Sequence, residues 1–379
     1  MPTSLPQQAA AKNGPIHINA LSDLGEFRRL RQRWDTVVNA CPYAPIHICS
    51  AWIEQWWESF GRDAEVFAVL LEDADGPLGV APFLRSTISI GPLRIPTLRL
   101  LGNELCERSE IILNRRHEAA WDALQHCLDQ LSWAFFDYGW GAAESAERQA
   151  LSSSEWPYSI QSRQALELPL VALSSTWPVW LGEKSRTFRK SLRKAEEKSV
   201  GLKILRFPDD FDDFERLLSM FESVAQGSWS HAEGTSIVSS RAVQSFFSGL
   251  LRNFHAREDV LASVVMRGNE PQAFAFGIAF GNSIFGLKTS YRADLQERSL
   301  GTRVMADFVE HCMSGRRQQI LDMDCVTAHS AYKKRWANEL VRVVDQRIFR
   351  RRPLSGLLSL AYRIKKRPTD TPPGADETD

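Results

Sequence analysis

The chain has no surplus charge of either sign. Its 379 residues carry 46 Lys and Arg against 46 Asp and Glu, so no overall field draws it to nucleic acid or to a membrane, and any basic site has to be local. No apolar run approaches the length of a membrane span. Residues 1–15 are polar, with Pro2, Pro6, Gly14 and Pro15, and lack the apolar core of a signal peptide. The six cysteines (Cys41, Cys49, Cys106, Cys127, Cys312, Cys325) form no C-x-x-C pair and have no histidine nearby at metal spacing. They suit mostly buried thiols in a reducing compartment. The eight histidines are scattered and suggest no metal site. H-E-x-x-H, G-x-x-x-x-G-K-[ST] and G-x-S-x-G are all missing, which argues against zinc proteolysis, P-loop nucleotide hydrolysis and the common serine-hydrolase elbow. The expectation is a soluble cytoplasmic protein.

What is present is length and a repeat. A chain of 379 residues exceeds one ordinary domain. Residues 16–27 and 203–214 each read as a short apolar strand, an acidic helix start and a helix with apolar residues at helical spacing. The first helix runs through Leu30, Trp34 and Val37, the second through Leu217, Leu218 and Phe221. A second helix follows in each half, near 50–60 and 240–254. Two hairpins come next, 66–71 with 78–83 and 260–266 with 272–280. Third strands are expected near 97–101 and 283–290, helices at 118–131 and 302–313, and closing strands at 134–138 and 320–325. The order strand, helix, helix, three strands, helix, strand thus occurs twice, and internal duplication is the economical reading. Residues 141–201 read as the segment between the halves, and the tail from Pro368 as disordered.

One stretch stands out chemically. From Lys288 to Val304 the sequence ends a strand, crosses a polar loop and opens a helix at Gly301. The first amides of a helix have no internal partner and carry the positive end of its dipole, and a glycine lets a diphosphate come close to them. The first half lacks this glycine, and its corresponding loop carries Glu104, Glu107 and Glu110, which would repel a pyrophosphate.

Three meandering strands, a helix beginning at a glycine and a further strand resemble the core of the GNAT (Gcn5-related) acyltransferases. Those enzymes hold the pyrophosphate of acyl-CoA on a motif of the form [QR]-x-x-G-x-[GA]. Arg298 and Gly301 match its first two anchors, and Arg303 departs from the third. Over about residues 16–365 the chain is similar to the CelD-like branch associated with cellulose and other exopolysaccharide synthesis. The likeness rests on 185–194, on Glu222 with Ser228-Trp229 and Glu233-Gly234-Thr235, on Lys288-Thr-Ser-Tyr291, and on Ser299-Leu-Gly301. It continues through Asp322-x-Asp324 to Tyr332-Lys333-x-x-Trp336. A lysine that often follows the tryptophan at 229 is Ser230 here. The same double architecture resembles the Fem family, which transfers amino acids from aminoacyl-tRNA to peptidoglycan precursors.

The resemblance implies an α/β (α+β) fold of two tandem GNAT-like domains, each a mixed, mostly antiparallel sheet flanked by helices. The first spans 16–165 with a degenerate cofactor site, the second 166–367, between disordered ends at 1–15 and 368–379. It implies an acyl-CoA co-substrate, acetyl-CoA first, with no metal. Lys288, Ser290, Arg298, Ser299, Leu300, Gly301, Thr302 and Arg303 would hold it. Tyr291 would protonate the departing thiolate, or cap the core with its hydroxyl in water. Asp324 or Glu222 would deprotonate the acceptor, or the aspartate would bond backbone amides instead. Lys333 would stabilise developing charge, or remain a solvated surface lysine. Trp229, Arg189, Arg193 and Trp336 would contact the acceptor, a small molecule or glycan precursor within a polysaccharide synthase machinery. The helix at 184–198 is basic enough for a phosphorylated acceptor, a nucleotide-sugar, tRNA or an anionic lipid surface, or it is a solvated face. The basic segment 347–367 reads as a helix packed on its own domain or lying on a membrane surface. A Fem-like transferase and a non-catalytic accessory protein of polysaccharide synthesis are the alternative functions.

Overall fold

The computed structural model describes residues 8–9, 15–42, 44–101, 105, 108–151, 158–314, 317–323 and 330–350. β1 (Gln8–Ala9) and β2 (Ile16–Leu21) lead into α1 (Leu24–Asn39) and α2 (Ser50–Phe60). The meander β3 (Glu65–Asp73), β4 (Gly76–Ile90) and β5 (Leu93–Leu100) follows, then β6 (Ile112–Leu113), α3 (His117–Gln130), β7 (Phe135–Ala142) and α4 (Ala146–Leu151). β8 (Tyr158–Ala172), α5 (Trp177–Glu183) and α6 (Arg186–Lys198) connect the halves. The second half is β9 (Lys203–Phe207), α7 (Phe214–Gln226), α8 (Trp229–Ala232), α9 (Arg241–His255), the meander β10 (Val260–Arg267), β11 (Glu270–Phe280) and β12 (Ser283–Tyr291), then α10 (Leu300–Met313), β13 (Ile320–Asp322), α11 (Ser330–Lys334) and β14 (Glu339–Arg350).

The repeat read from the sequence is real in three dimensions, and its chemistry repeats too. Asp23 accepts from the Glu26 amide at 3.0 Å to cap α1, and Asp213 accepts from the Arg216 amide at 3.0 Å to cap α7. The two long helices α3 and α10 each span 14 residues. Each follows a residue in the left-handed region, Arg116 with φ 52° and Ser299 with φ 55°.

The two halves share one sheet, ordered β1-β2-β3-β4-β5-β7-β14-β8-β13-β12-β11-β10-β9, with β6 added on β4. Among the described residues only β5–β7 and β12–β13 pair in parallel. β14 lies between β7 and β8, antiparallel to both, and so sews the first half to the second. This differs from the sequence reading in two places. The segment 141–201 is not a mere connection, because β8 pairs with β14 from Tyr158 to Leu170 and with β13 at its end, and the 165/166 boundary falls inside β8. Arg347–Arg350 belong to a strand, not a helix, while 351–367 lie outside the described residues, as does the tail from 368. Of the N-terminal stretch, Gln8 and Ala9 pair with His17 and Ile16.

The halves also share a core. α2 packs on α9, with Trp52 edge-on to Phe246 at 5.1 Å between centroids. The Gln55 side chain lies across Gly249 so closely that a Cβ there would sit 2.2 Å from its Oε1. α3 covers the opposite face of the first half's sheet, and α10, α6, Trp180 and Trp336 cover that of the second. Cys49, Cys127 and Cys312 are buried as expected, and burial pushes the Cys49 and Cys127 thiols up to about 12.

Asp73, buried at the end of β3, holds the left-handed turn before α3. Arg115 grips both its oxygens at 2.8 and 2.6 Å, and Arg116 adds a contact at 2.8 Å. These bonds, those of Arg115 foremost, lower its pKa from 3.8 to about 2. A carboxylate with a depressed folded pKa stabilises the fold above its unfolded value and loses that contribution as pH falls through the folded one. Asp73→Asn is therefore expected to cost roughly 2 kcal/mol at pH 7 and to flatten the stability loss between about pH 4 and pH 2. Urea denaturation at a series of pH values measures this, and an unchanged acid limb would count against the clamp.

Candidate active site

β12 and β13 touch over three residues each, Ser283–Phe285 against Ile320–Asp322. Among the described residues β13 extends only to Asp322, while β12 runs on to Tyr291. Against β11, Phe276 faces Lys288 while Gly277 faces Gly286, so Leu287 is an extra, bulged residue. A bulge bends its strand, here just past the last residue paired with β13. A cavity of about 910 Å³ occupies the resulting gap, within the range of small-molecule sites. Gly286–Tyr291 form one side, Leu321 and Met323 the other, and Ser299–Thr302 of the α10 start close one end.

That helix start is an anion cradle by construction. A left-handed residue leading into right-handed turns makes successive backbone amides converge, and the first helical amides lack internal partners. Gly301 has a second reason to be glycine: a Cβ there would lie 3.0 Å from Cδ1 and Cε1 of Tyr291, whose ring lies across the first turn. Ser290 is also among the lining residues, and its hydroxyl is buried with no hydrogen-bond partner among the described residues.

The first half is closed where the second opens. Arg108 bridges Trp140 of β7, and Glu110 is buried against Arg148 at 3.0 Å and the Tyr138 hydroxyl at 3.0 Å. Burial raises the Glu110 pKa against the pull of Arg148. The expected repulsive loop is corrected accordingly: Glu110 is half of an internal ion pair, and Glu104 and Glu107 lie outside the described residues. Counting from the left-handed residue, Glu118 takes the place that Gly301 has in α10. The closed half still reaches the open one. Leu105 lines the cavity, and Arg108 binds Asp322 at 2.6 Å with both side chains largely buried.

Of the residues singled out from the sequence, Lys288, Ser290, Tyr291, Ser299, Leu300, Gly301, Thr302, Trp229 and Lys333 all line this cavity. Lys333 donates to the Met323 carbonyl at 2.6 Å, and the Lys288 ammonium sits 5.7 Å from the Phe247 ring centre. Others lie elsewhere. Arg298 ends a 3-10 turn and Arg303 lies in the first turn and a half of α10, neither among the lining residues. Glu222 is inside α7, lines a separate small crevice and accepts from Gln244 at 2.9 Å. Arg189 caps α5 by donating to the Gly182 and Lys184 carbonyls at 2.8 and 2.9 Å. Trp336 is fully buried between Trp180 and Phe188, and Arg193 is exposed on α6. Lys184 does not belong to the exposed basic face: its ammonium donates to the Trp336 and Ala337 carbonyls, and burial lowers its pKa to about 8. Asp324 lies outside the described residues.

Two lining residues had no role assigned from the sequence. Glu233 is the one carboxylate among the described lining residues, exposed at the cavity's rim. Its signal was the Glu233-Gly234-Thr235 turn, read then only as a motif. Tyr332 is partly buried near the α10 start, its phenol raised in pKa by burial and hydrogen-bonded to Thr302.

The acetyltransferase (GNAT) domain profile matches residues 183–334, from the start of α6 through α11. That segment is a GNAT acetyltransferase domain. A domain of this kind supports an acyltransferase activity for that segment. The chain's fold as a whole is like that of FemX (10% identity, TM-score 0.58, 87% of this chain and 98% of that one). It is also like a conserved protein of unknown function from Bacteroides thetaiotaomicron (8%, 0.52, 88% and 99%) and L-PGS from Bacillus licheniformis (13%, 0.50, 89% and 97%). At such identities the likeness speaks for the fold alone. No curated protein sequence matches the chain. The GNAT domain contains the cavity except for Leu105, which the first half supplies.

Arg108→Ala would remove the guanidinium from a buried carboxylate at the end of β13. We expect a loss of about 3 kcal/mol in urea denaturation. A loss under about 1 kcal/mol would mean that Asp322 does not depend on Arg108.

Proposed function

We propose that the GNAT domain transfers an acyl group from acyl-CoA to an amine or hydroxyl of a cell-envelope or exopolysaccharide precursor, by direct attack and without an acyl-enzyme. The observation that carries this reading is one cavity lined both by Gly286–Tyr291 of β12 and by Ser299–Thr302 of the α10 start. These features fit an acyl-CoA: helix-start amides for a pyrophosphate and a slot alongside β12. Bound there, the co-substrate would supply a thioester.

The chain's own groups divide the remaining work. The converging amides of Leu300, Gly301 and Thr302 hold negative charge, as Arg298 and Arg303 need not. Backbone amides of the bulged stretch of β12 lie where a carbonyl oxygen would gain charge. Glu233, at the rim, takes the proton that the acceptor gives up as its new bond to the acyl carbon forms. Tyr291 gives a proton to the thiolate as the C–S bond breaks. Glu233 thus takes the role that the sequence suggested for Glu222. Lys333 and Lys288 add positive charge to the walls.

A Fem-type donor, aminoacyl-tRNA, is the second reading. It is favoured by the whole-chain likeness to FemX and by the exposed Arg186, Lys190, Arg193, Lys194 and Lys198 of α6. Calorimetry separates the two. Acetyl-CoA is expected to bind with micromolar to millimolar affinity, and Gly301→Trp, which also crowds the Tyr291 ring, to abolish that binding, with circular dichroism reporting whether the variant still folds. Unaltered affinity in the variant would move the site. Absence of binding at millimolar acetyl-CoA, together with copurifying RNA released steeply by salt, would favour the Fem-type donor.

A further inference from the structure

Outside the cavity, the surface beside the α10 start carries positive charge that the fold leaves unused. α6 packs on α10 and buries Phe188, Leu192 and Ala195. Along one edge of that stripe run Ser191, Lys194 and Lys198, spaced to share a side of the helix. Both ends of the edge are fixed. Lys198 donates from its ammonium to the Glu297 carbonyl at 2.9 Å, just before Ser299. Ser191 accepts from Arg335 at 3.2 Å, and the Arg335 guanidinium lies 5.3 Å from the Phe188 ring centre. Arg335 directly follows α11, whose Tyr332 bonds Thr302 and lies within the field of Arg335. This edge of α6 therefore runs beside Ser299–Thr302, with Lys194 exposed between its two fixed ends.

The charge here is not balanced from within. Lys190 and Lys194 have no acid partner among the described residues, and Glu196 and Glu197, the carboxylates of α6, form no ion pair there either. Like charges one turn apart, Lys190 with Lys194 and Lys194 with Lys198, repel each other along the helix. An anion placed against this edge would relieve that repulsion. The co-substrate brings one. With its pyrophosphate on the helix-start amides and its thioester in the cavity along β12, an acyl-CoA keeps its nucleotide end outside. The strongly charged group of that end is the 3′-phosphate on the ribose, one sugar away from the pyrophosphate.

We propose that Lys194, Lys198 and Arg335 form a subsite for the ribose 3′-phosphate of the co-substrate, so that the protein distinguishes CoA from its 3′-dephospho form. This rests on the acyl-CoA reading above. Lys198 has donors left beyond the one that Glu297 takes, and Arg335 is held in place by Ser191 and Phe188 with its outer face in solvent. α6, the element that joins the two halves, thus acts on the nucleotide and not on the reacting atoms.

The test is calorimetric titration of the full chain with acetyl-CoA and with 3′-dephospho-acetyl-CoA. Charge-assisted contacts to phosphate predict that acetyl-CoA binds about tenfold tighter. That preference is expected to shrink as salt rises from about 0.05 M to about 0.5 M. Lys194→Ala, at an exposed helix position that alanine suits, and Arg335→Ala are each expected to cut the preference roughly threefold. Should Arg335→Ala fail to fold, since it also uncovers Phe188, Lys194→Glu reads the same preference and is expected to remove it. Equal affinity for the two thioesters, or a preference that no variant alters, would overturn the subsite while leaving acyl-CoA as donor. Failure of both thioesters to bind would overturn the donor reading, and the subsite with it.

Discussion

The site depends on how little of β12 is paired with β13. Among the described residues only three of β12 pair with β13, and beyond them β12's backbone donors and acceptors border the cavity. Three features make this tolerable. β11 holds the other edge of β12 through Tyr291, the bulge at Leu287 absorbs the change of direction, and Tyr291 is fixed across the first turn of α10 by the room Gly301 leaves. The opening is therefore rigid, and its chemistry belongs largely to main-chain groups. Side-chain substitutions around such a cradle alter shape before they alter charge.

The first half shows the same frame with the opening closed. Its parallel pair also spans three residues, Thr97–Arg99 against Phe135–Asp137, but its own loop runs along β7 beyond them and buries Glu110 with Arg148. A buried ion pair is weak support for stability in general, and its geometry here matters more for what it excludes. Duplication thus produced one ligand slot and one wall. The wall is not passive, since Leu105 and Arg108 reach across to the second half's cavity and to Asp322.

Much of this was legible in the sequence, for physical reasons. Capping aspartates, helical spacing and turn residues are local signals, and they located the repeat and the limits of α2, α3, α9 and α10 to within two residues. Even Glu118 in place of Gly301 could be read by aligning one half with the other. What was not legible was non-local. β8 and β14 pair across some 170 residues, and no property of either segment names its partner. The arginines of β14 compounded this. Arg350 is 4% exposed, its guanidinium 2.6 Å from the Leu128 carbonyl and 4.6 Å from the Trp133 ring centre, and Arg347 meets Asp137 at 3.0 Å. Buried cations on a strand look, in one dimension, like the outer face of a surface helix. Glu222 and Trp336 failed for a related reason: motif order fixes neighbours along the chain, but not the side of the helix or the depth in the core that a side chain takes.

The position of β14 also imposes an order on synthesis. Residues 339–350 fill the slot between β7 and β8, two strands that are complete long before. Throughout the translation of the GNAT domain, each of those strands presents an edge that another chain could occupy. The sheet becomes continuous only when β14 enters between β7 and β8. Once residues 339–350 are in place, two strand edges open to association become the middle of one sheet.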